Sequence, residues 1–203
     1  MKATFTRLTA ATLLTFSGLA LATPVEIVSQ QDTWNYNVLT SDISPSFVSR
    51  DYSDFTTHYT GALSGQAAFG NYYPAAGVPA PTTNWAANTD LALQITTSLT
   101  AEVIGNVTLN LAVDNGAMVF INGTKVFAEG AEGFTSIWEY STSIDGALFN
   151  VGLNTISVLT EDHGGATYFD MQLIAEQGVP EPGTLGLLGL GLAGLGLRKR
   201  KTA

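Results

Sequence analysis

The chain contains no cysteine among its 203 residues. This absence excludes disulfide bonds, thiol catalysis and cysteine-ligated metal sites, so the folded part of the chain must be held together by its hydrophobic core. Histidine is scarce as well, with only His58 and His163. The sequence also lacks a Gly-x-Ser-x-Gly motif and a His-Glu-x-x-His pair, which are signatures of serine hydrolases and zinc proteases. We therefore predict a protein that is not an enzyme.

Basic residues are few, and most of them lie at the two ends of the chain. The sequence has 8 Lys and Arg against 17 Asp and Glu. Between residues 23 and 178 only Arg50 and Lys125 remain, against 16 acids, which gives a formal charge of −14. Such a surface repels nucleic acid and anionic lipid, so no nucleic-acid partner is expected. Most of the acids are interpreted as a solvated negative coat that favours solubility.

The N-terminal segment has the three parts of a secretory signal peptide. Lys2 and Arg7 supply the charge, and an apolar stretch follows from residue 8 to residue 21. Ala20 and Ala22 form the small-x-small pattern that a signal peptidase reads, which places cleavage before Thr23. We expect residues 1–22 to form a signal helix that is removed, with signal peptidase as a processing partner.

The C-terminal segment also has three parts. Val179, Pro180, Glu181 and Pro182 precede an uncharged stretch at 183–197, and four basic residues follow at 198–201. Fifteen helical residues span about 22 Å, less than the roughly 30 Å hydrocarbon core of a bilayer. We expect a short apolar helix that stands apart from the rest of the protein and inserts transiently in the membrane. Its basic end should stay on the cytoplasmic side.

In order and residue type, residues 179–203 resemble the PEP-CTERM sorting signal of exopolysaccharide-producing Gram-negative bacteria. Pro180, Glu181 and Pro182 correspond to the tripeptide that names this signal. The resemblance implies recognition by an exosortase, a membrane protease, with cleavage at or near the tripeptide. It gives the destination of the protein but not its activity.

Residues 23–178, between the two terminal signals, show a periodicity of two. Apolar and polar residues alternate at 91–99, 107–113 and 169–173, while residues 117–121 are apolar on both faces. Asn122-Gly123 predicts a tight hairpin, with residues 124–127 returning antiparallel. Further strands are predicted at 25–30, 33–39, 134–143 and 154–159. No helical pattern is evident in this region, so one all-β sandwich domain is predicted.

Residues 64–88 have a different composition, rich in Gly, Ala, Pro, Tyr and Asn. This composition predicts a long, ordered loop. Long loops in compact domains are often functional.

Several short segments, taken in order, resemble the galactose-binding-like jelly-roll module. The most specific are Asp114-Asn115-Gly116, followed by Ile121-Asn122-Gly123, and the Gly-Leu-Asn-Thr-Ile run at 152–156. The resemblance spans about residues 34–173. It implies an antiparallel jelly-roll β-sandwich of the kind found beside many secreted glycosidases and in surface proteins.

Carbohydrate recognition needs aromatic faces to stack on sugar rings, and polar groups to bind hydroxyls. Tyr72, Tyr73 and Trp85 are the preferred aromatic candidates because they lie in the predicted loop. Trp138 and Tyr168 are further aromatics, and Trp34 is interpreted as a core residue. Asp114 and Asn115 most simply form a turn; their role as ligand contacts is a secondary interpretation.

The densest polar cluster is Glu161-Asp162-His163, with Asp170 downstream. Oxygen ligands from Glu161, Asp162 and Asp170 would form a weak candidate calcium site. The two glycines that follow His163 equally indicate a flexible connection, and no other cofactor is expected.

These observations predict an exported, exosortase-sorted protein of the cell surface or extracellular matrix. Its β-sandwich is interpreted as a non-catalytic carbohydrate-interacting module with extracellular polysaccharide as its partner. The alternative is a structural matrix or adhesion protein without a small-ligand site.

Overall fold

The computed structural model describes residues 23–72, 77–130, 135–177, 189 and 191–192. Between residues 23 and 177 the described part of the chain forms twelve β-strands, one α-helix and two short 3-10 helices. The strands are β1 (Thr23–Val28), β2 (Thr33–Val38), β3 (Leu63–Gln66), β4 (Phe69–Gly70), β5 (Thr83–Asn84), β6 (Leu91–Leu99), β7 (Val103–Asp114), β8 (Gly116–Ile121), β9 (Thr124–Glu129), β10 (Tyr140–Asp145), β11 (Gly152–Glu161) and β12 (Tyr168–Gln177). The helix, α1, spans Tyr52–His58.

The strands form two sheets that pack face to face. In the first sheet the order is β10-β7-β12-β4-β5, and β1 also pairs with β12. In the second sheet the order is β3-β2-β6-β11-β8-β9. The four-strand orders β1-β12-β7-β10 and β6-β11-β8-β9 are those of a jelly roll. The predicted all-β, jelly-roll sandwich is confirmed, and the short parallel pair β4–β5 is an addition to it.

The main core lies between the two sheets. Inward-facing residues of β6, β7, β11 and β12 fill it, in the alternation that the sequence predicts. Trp34 is completely buried there and packs edge-on against Phe169, with ring centroids 5.8 Å apart. Its predicted role as a core aromatic is therefore confirmed.

Strand β8 is buried on both faces, as its continuous apolar sequence indicates. Ala117, Val119 and Ile121 point into the main core, while Met118 and Phe120 lie in a second cluster on the outer face of the second sheet. The hairpin that follows has positive φ angles at Asn122 and Gly123, 49° and 85°, as a tight two-residue turn requires.

Helix α1 covers the outer face of the second sheet. The sequence analysis predicted no helix in residues 23–178, and that prediction was wrong. Phe55 packs with Phe120 and Tyr52 in the second cluster. The Asp51 side chain caps the first turn, and Asp54 bonds back to the Asp51 amide. The Asp-x-x-Asp pattern of Asp51 and Asp54 is the feature of the sequence that could have predicted the start of this helix. Seven residues are too few for a helical stripe to be seen.

The segment 64–88 contains short strands β3, β4 and β5, so the prediction of a continuous loop was wrong. Strand β3 belongs to the second sheet, and β4 and β5 belong to the first. Ala68 forms a small cluster with Ala112 and Tyr168. The Tyr168 hydroxyl donates to the Pro79 carbonyl at 3.1 Å.

Strand β10 begins later than predicted, at Tyr140. Trp138 lies before it in a turn with φ 49° and is half-buried. The left-handed conformation of Trp138 interrupts the extended backbone that was predicted for residues 134–143.

The predicted signal helix, residues 1–22, lies outside the described residues, and so does most of the C-terminal apolar segment. Residues 189, 191 and 192 are helical, and Leu192 is 47% exposed. In the part of the chain that the structure describes, no helix has the length and apolar character that a membrane crossing requires.

Candidate functional site

One end of the second sheet brings together three loops. Strand β11 ends at Glu161, opposite Gly116 at the start of β8. The start of β6 at Leu91 pairs with Thr160. Residues 88–90, 115–116 and 161–164 therefore meet at this end, and residues 39–44 pass over them.

A cleft of about 290 Å³ opens between these segments. We call it the carboxylate cleft. Its lining residues are Leu39, Thr40, Ser41, Asp42, Ser44, Asn88, Thr89, Asp90, Asp162 and His163.

Asp90 fixes the base of the cleft. Its side chain is 4% exposed and accepts hydrogen bonds from the backbone amides of Ile43, at 2.9 Å, and Asp162, at 3.1 Å. Its own carbonyl accepts from the Leu39 amide at 2.8 Å. One carboxylate thus joins the 39–44 segment to the end of β11.

Asp162 lines the cleft, and only one of its two carboxylate oxygens accepts hydrogen bonds from the described residues. Oδ2 accepts from the amides of Asn88, at 2.6 Å, and Gly164, at 2.9 Å. Oδ1 is buried and has no hydrogen-bond partner among the described residues. Gly164 has a φ of 109°, a conformation that favours glycine, and a Cβ there would lie 2.8 Å from the Asn88 side chain.

Glu161 lies behind the cleft in a narrow slot. Its residue is 1% exposed, and Oε2 lies 3.6 Å from the His163 ring nitrogen Nε2, without a hydrogen-bond partner in the described part of the chain. Gly116 and Gly130 form the walls, since a Cβ on either would lie 2.7 or 3.1 Å from Glu161 Oε1. The slot therefore leaves no room for a Cβ at position 116 and little at position 130.

Burial dominates the electrostatics of these acids. It raises the pKa of Glu161 to about 7, against the opposing effects of a Ser44 hydrogen bond and His163, while Asp90 and Asp42 add to the rise. Burial also raises the pKa of Asp162 and of Asp90, although each accepts backbone hydrogen bonds that favour the charged form. At the exposed rim, hydrogen bonds from Ser44 lower the pKa of Asp42.

The two bases of residues 23–178 are both engaged elsewhere. Arg50 donates to the Ile43 and Pro45 carbonyls and pairs with Asp54 at 3.2 Å. Lys125 donates to the carbonyls of Val48 and Arg50, at 3.1 and 2.8 Å. Among the described residues, His163 is therefore the one basic side chain that lines the cleft.

The aromatic candidates are only partly accessible. Trp85 is 1% exposed and its Nε1 donates to the Thr89 carbonyl at 2.7 Å, so its proposed role as a stacking platform was wrong. Its indole packs in the main core, and its hydrogen bond to the Thr89 carbonyl holds the turn beside the cleft. Tyr168, completely buried, is excluded as a platform for the same reason.

Tyr72 is 72% exposed, while Tyr73 lies outside the described residues. The Asn71 side chain donates to the Gly165 carbonyl at 3.1 Å, which places Tyr72 beside the loop that carries Asp162 and His163. Tyr72 thus remains a candidate contact at the same end of the sandwich.

Asp114 and Asn115 are 7% and 8% exposed and form the link between β7 and β8. Asn115 Oδ1 accepts from the His163 amide at 2.7 Å, and the Asn115 amide donates to the Glu161 carbonyl. These contacts agree with the turn interpretation. Asn115 positions the 161–163 segment from below.

The calcium hypothesis does not fit the geometry. Asp170 lies on β12 in the first sheet, completely buried, where it accepts from the Met171 amide and Gln30. It is not part of the cleft that Asp162 lines. Across the described residues, no group of three or more His, Asp or Glu side chains is arranged to hold a metal ion.

Asp42, Asn88 and Asp90 were missed by the sequence analysis. Each is an isolated polar residue in a turn, and turns of this composition occur throughout the chain. Only the strand order, which places the start of β6 beside the end of β11, brings them to one site.

Comparison with known proteins explains the C-terminal segment. Residues 178–201 match the PEP-CTERM protein-sorting motif. The chain carries a PEP-CTERM motif. This motif indicates an exported protein that an exosortase sorts to the surface or extracellular space, as the sequence predicts. The motif covers the tag alone, and the comparison with curated proteins found no match.

Solved structures resemble the sandwich weakly. The PA14 domain of the MpAFP antifreeze protein is 18% identical, with a TM-score of 0.38, covering 70% of this chain and 79% of that one. A β-glucuronidase from Ruminococcus gnavus is 11% identical, with a TM-score of 0.47, covering 81% of this chain and 30% of that one. A β-porphyranase from Bacteroides plebeius is 21% identical, with a TM-score of 0.33, covering 47% and 19%. Likenesses of this strength carry no argument about function.

Proposed function

We propose that residues 23–178 are a non-catalytic carbohydrate-binding sandwich, delivered to the cell surface or extracellular matrix by the exosortase route. The carboxylate cleft is its ligand site. In this proposal the signal peptide is removed before Thr23, and the C-terminal segment inserts transiently in the membrane before the exosortase acts.

The observation that carries this proposal is the unused oxygen of Asp162. A buried carboxylate oxygen without a donor loses about 1–3 kcal/mol or more of hydrogen bonding. Its neighbour Oδ2 is held by two amides, so the side chain cannot rotate to find another partner within the loop. Asp162 lines the cleft, but Oδ1 itself is closed to solvent. A ligand donor such as a sugar hydroxyl would therefore supply the missing bond only by displacing the groups that cover this oxygen.

The size and lining of the cleft agree with one sugar unit. Its 290 Å³ is close to the lower end of ligand sites in proteins, about 300 Å³. Ser41, Thr40 and Thr89 offer hydroxyl groups, and Asn88 an amide, around the acidic base. Tyr72, at the same end, would contact an adjacent sugar of a longer chain.

Binding of polysaccharides from the producing cells to the purified exported protein tests this proposal. Asp162→Asn keeps an oxygen for the Asn88 and Gly164 amides but turns the unused acceptor into a donor. We expect it to weaken glycan binding about tenfold or more, the effect of a lost charged hydrogen bond. Asp145→Asn is the matched control, since Asp145 also accepts a backbone amide, that of Ala147, at an exposed site elsewhere.

Failure of the wild-type protein to bind any of these polysaccharides would overturn the proposal. Matrix defects on deletion of the protein would then favour the structural role. Equal losses of glycan affinity in Asp162→Asn and Asp145→Asn would indicate that the ligand binds outside the cleft.

A further inference from the structure

We propose that the end of the sandwich that carries Gln177 rests on the lipid bilayer while the C-terminal segment is inserted there. The contact is made by the exposed apolar side chains of Ile104, Val151 and Leu153, which we call the apolar end patch. This inference rests on the transient membrane insertion in the proposed function and adds the surface of the folded domain that meets the membrane. Two observations lead to it: where the chain leaves the sandwich, and which side chains surround that point.

The chain leaves the folded domain close to its apolar C-terminal segment. Strand β12 ends at Gln177, and only residues 178–182 separate it from the uncharged stretch at 183–197. A connection this short spans at most about 20 Å when fully extended. Strand β12 is itself about 33 Å long, and its other end, where Tyr168 pairs with Asp114, lies beside the carboxylate cleft. Insertion of the C-terminal segment therefore holds the Gln177 end near the bilayer, with the cleft a strand length away from the attachment point.

The apolar end patch lies around this attachment point. Ile104, on β7 beside the end of β12, is 51% exposed. Val151 precedes β11 and is 56% exposed, and Leu153 in its first turn of strand is 72% exposed. Ile104 and Val151 line two adjoining depressions that share Gly105, where an added Cβ would meet no atom within 4 Å. Single exposed apolar residues are ordinary on a protein surface, but a group with a polar rim marks an interaction site.

The polar residues around the patch determine which kind of membrane it fits. Glu102 and Asp145 line the depression beside Val151, and neither depression is lined by a Lys or Arg. With the charge of −14 on residues 23–178, these acids oppose binding to anionic lipid. The partner is therefore zwitterionic lipid, and the patch contacts the boundary between headgroups and acyl chains, where apolar surface is removed from water.

Three side chains make only a weak contact, which the short connection to the membrane strengthens. A short linker raises the effective concentration of a tethered group to about the millimolar range. The contact is therefore occupied while the C-terminal segment is inserted. Cleavage at or near the Pro180-Glu181-Pro182 tripeptide removes the tether, and the contact then dissociates. The patch thus holds the domain with its cleft away from the membrane before cleavage, and releases it afterwards.

Quenching of a fluorescent label by lipid tests this inference on the protein from Thr23 to Ala203, reconstituted in phosphatidylcholine vesicles. The quencher is carried on the acyl chains near the headgroups. The chain has no cysteine, so Ala147→Cys and Ser41→Cys each give one label site, the first beside Val151 and the second at the cleft. We expect strong quenching at position 147 and little at position 41. A protein that ends at residue 177 should show none at either position.

Two double variants with the label at position 147 separate the patch from the tether. Val151→Ser with Leu153→Ser should lower the ratio of docked to undocked protein about tenfold or more, because it removes two apolar side chains from the contact. Val48→Ser with Leu63→Ser is the matched control, since these residues are also exposed, at 51% and 47%, and lie outside the patch. Its label should be quenched like that of the wild type. Flotation with the vesicles checks that each full-length variant is inserted.

The outcomes separate this inference from the proposed function. Equal quenching at positions 147 and 41, or unchanged quenching in the Val151→Ser/Leu153→Ser variant, would overturn the contact and leave membrane insertion and carbohydrate binding intact. Quenching that persists without the C-terminal segment would contradict the role of the tether. A full-length chain that does not float with the vesicles would overturn membrane insertion and this inference together, while glycan binding, measured separately, would stand.

Discussion

Thr23 and Gln177 are direct partners in the ladder between β1 and β12. The first residue of the first strand thus lies beside the last residue of the last strand. The predicted signal cleavage precedes Thr23, and the PEP-CTERM match begins at residue 178. The two predicted processing points therefore both follow closely on the paired ends of β1 and β12, since each residue of chain beyond the ladder spans only about 3.4 Å.

Removing β1 should destabilise the protein strongly. Ile27 and Val28 are 4% and 0% exposed in the core, and full burial of each such side chain contributes about 1.5–3 kcal/mol. We expect a protein that starts at Ser29 to lose about 3–6 kcal/mol of unfolding free energy in urea denaturation. A protein that ends at Gln177, without the tag, is the control and should unfold like the longer chain. Equal stability of all three would contradict the role of β1 as a core strand.

Stability should fall as the pH rises from about 4 to 7. Burial raises the pKa of the completely buried Asp170 from 3.8 to about 7, so the folded state binds a proton that the unfolded state releases. Its contribution is fully present below pH 4 and is lost as the pH approaches 7. One pKa unit corresponds to about 1.4 kcal/mol, so we expect a loss of about 3 kcal/mol from Asp170 between pH 5 and pH 8.

Urea denaturation at both pH values checks this expectation, with Asp170→Asn as the test variant. The variant should be more stable than the wild type at pH 8 and should vary less with pH. Glu161, whose pKa is also raised to about 7, contributes in the same direction and remains in the variant. The same change of stability between pH 5 and pH 8 in the wild type and in Asp170→Asn would contradict the raised pKa of Asp170.

Alanine at position 116 should disturb the slot that holds Glu161. Its Cβ would lie 2.7 Å from both the Glu129 carbonyl and Glu161 Oε1, and the carbonyl is backbone that cannot easily move. We expect Gly116→Ala to cost about 1–3 kcal/mol, as overpacking does. Gly130→Ala is the paired control, with a nearest contact of 3.1 Å to the same carboxyl group. A smaller thermal destabilisation by Gly116→Ala than by Gly130→Ala would be inconsistent with this geometry.

The sheet architecture could be predicted from the sequence because burial imposes it locally. A strand with one buried face must alternate, as β7 does, and a strand covered on both sides must be apolar throughout, as β8 is. Asn122-Gly123 fixed the register of one hairpin. Helix α1 was missed because its packing against Phe120 is a long-range contact that seven residues cannot encode as a pattern.

The candidate site was harder to predict from the sequence because long-range contacts form it, as they do the packing of α1. Trp85 was chosen as a ligand candidate because it lies in the predicted loop, yet its indole turns inward and donates to the Thr89 carbonyl. Glu161 and Asp162 were identified as a dense acidic pair, but with Asp170, which the strand order places in the other sheet. Their actual neighbour, Asp90, is 72 residues away from Asp162 in sequence.

The intact mass of the protein from producing cells tests the central claim most directly, since one spectrum reports both processing events. We expect a species that begins at Thr23 and has lost the chain from at or near the Pro180-Glu181-Pro182 tripeptide onward. In cells without the exosortase, the same protein should keep residues up to 203. A mass equal to all 203 residues in exosortase-containing cells would contradict the account of an exported and sorted sandwich.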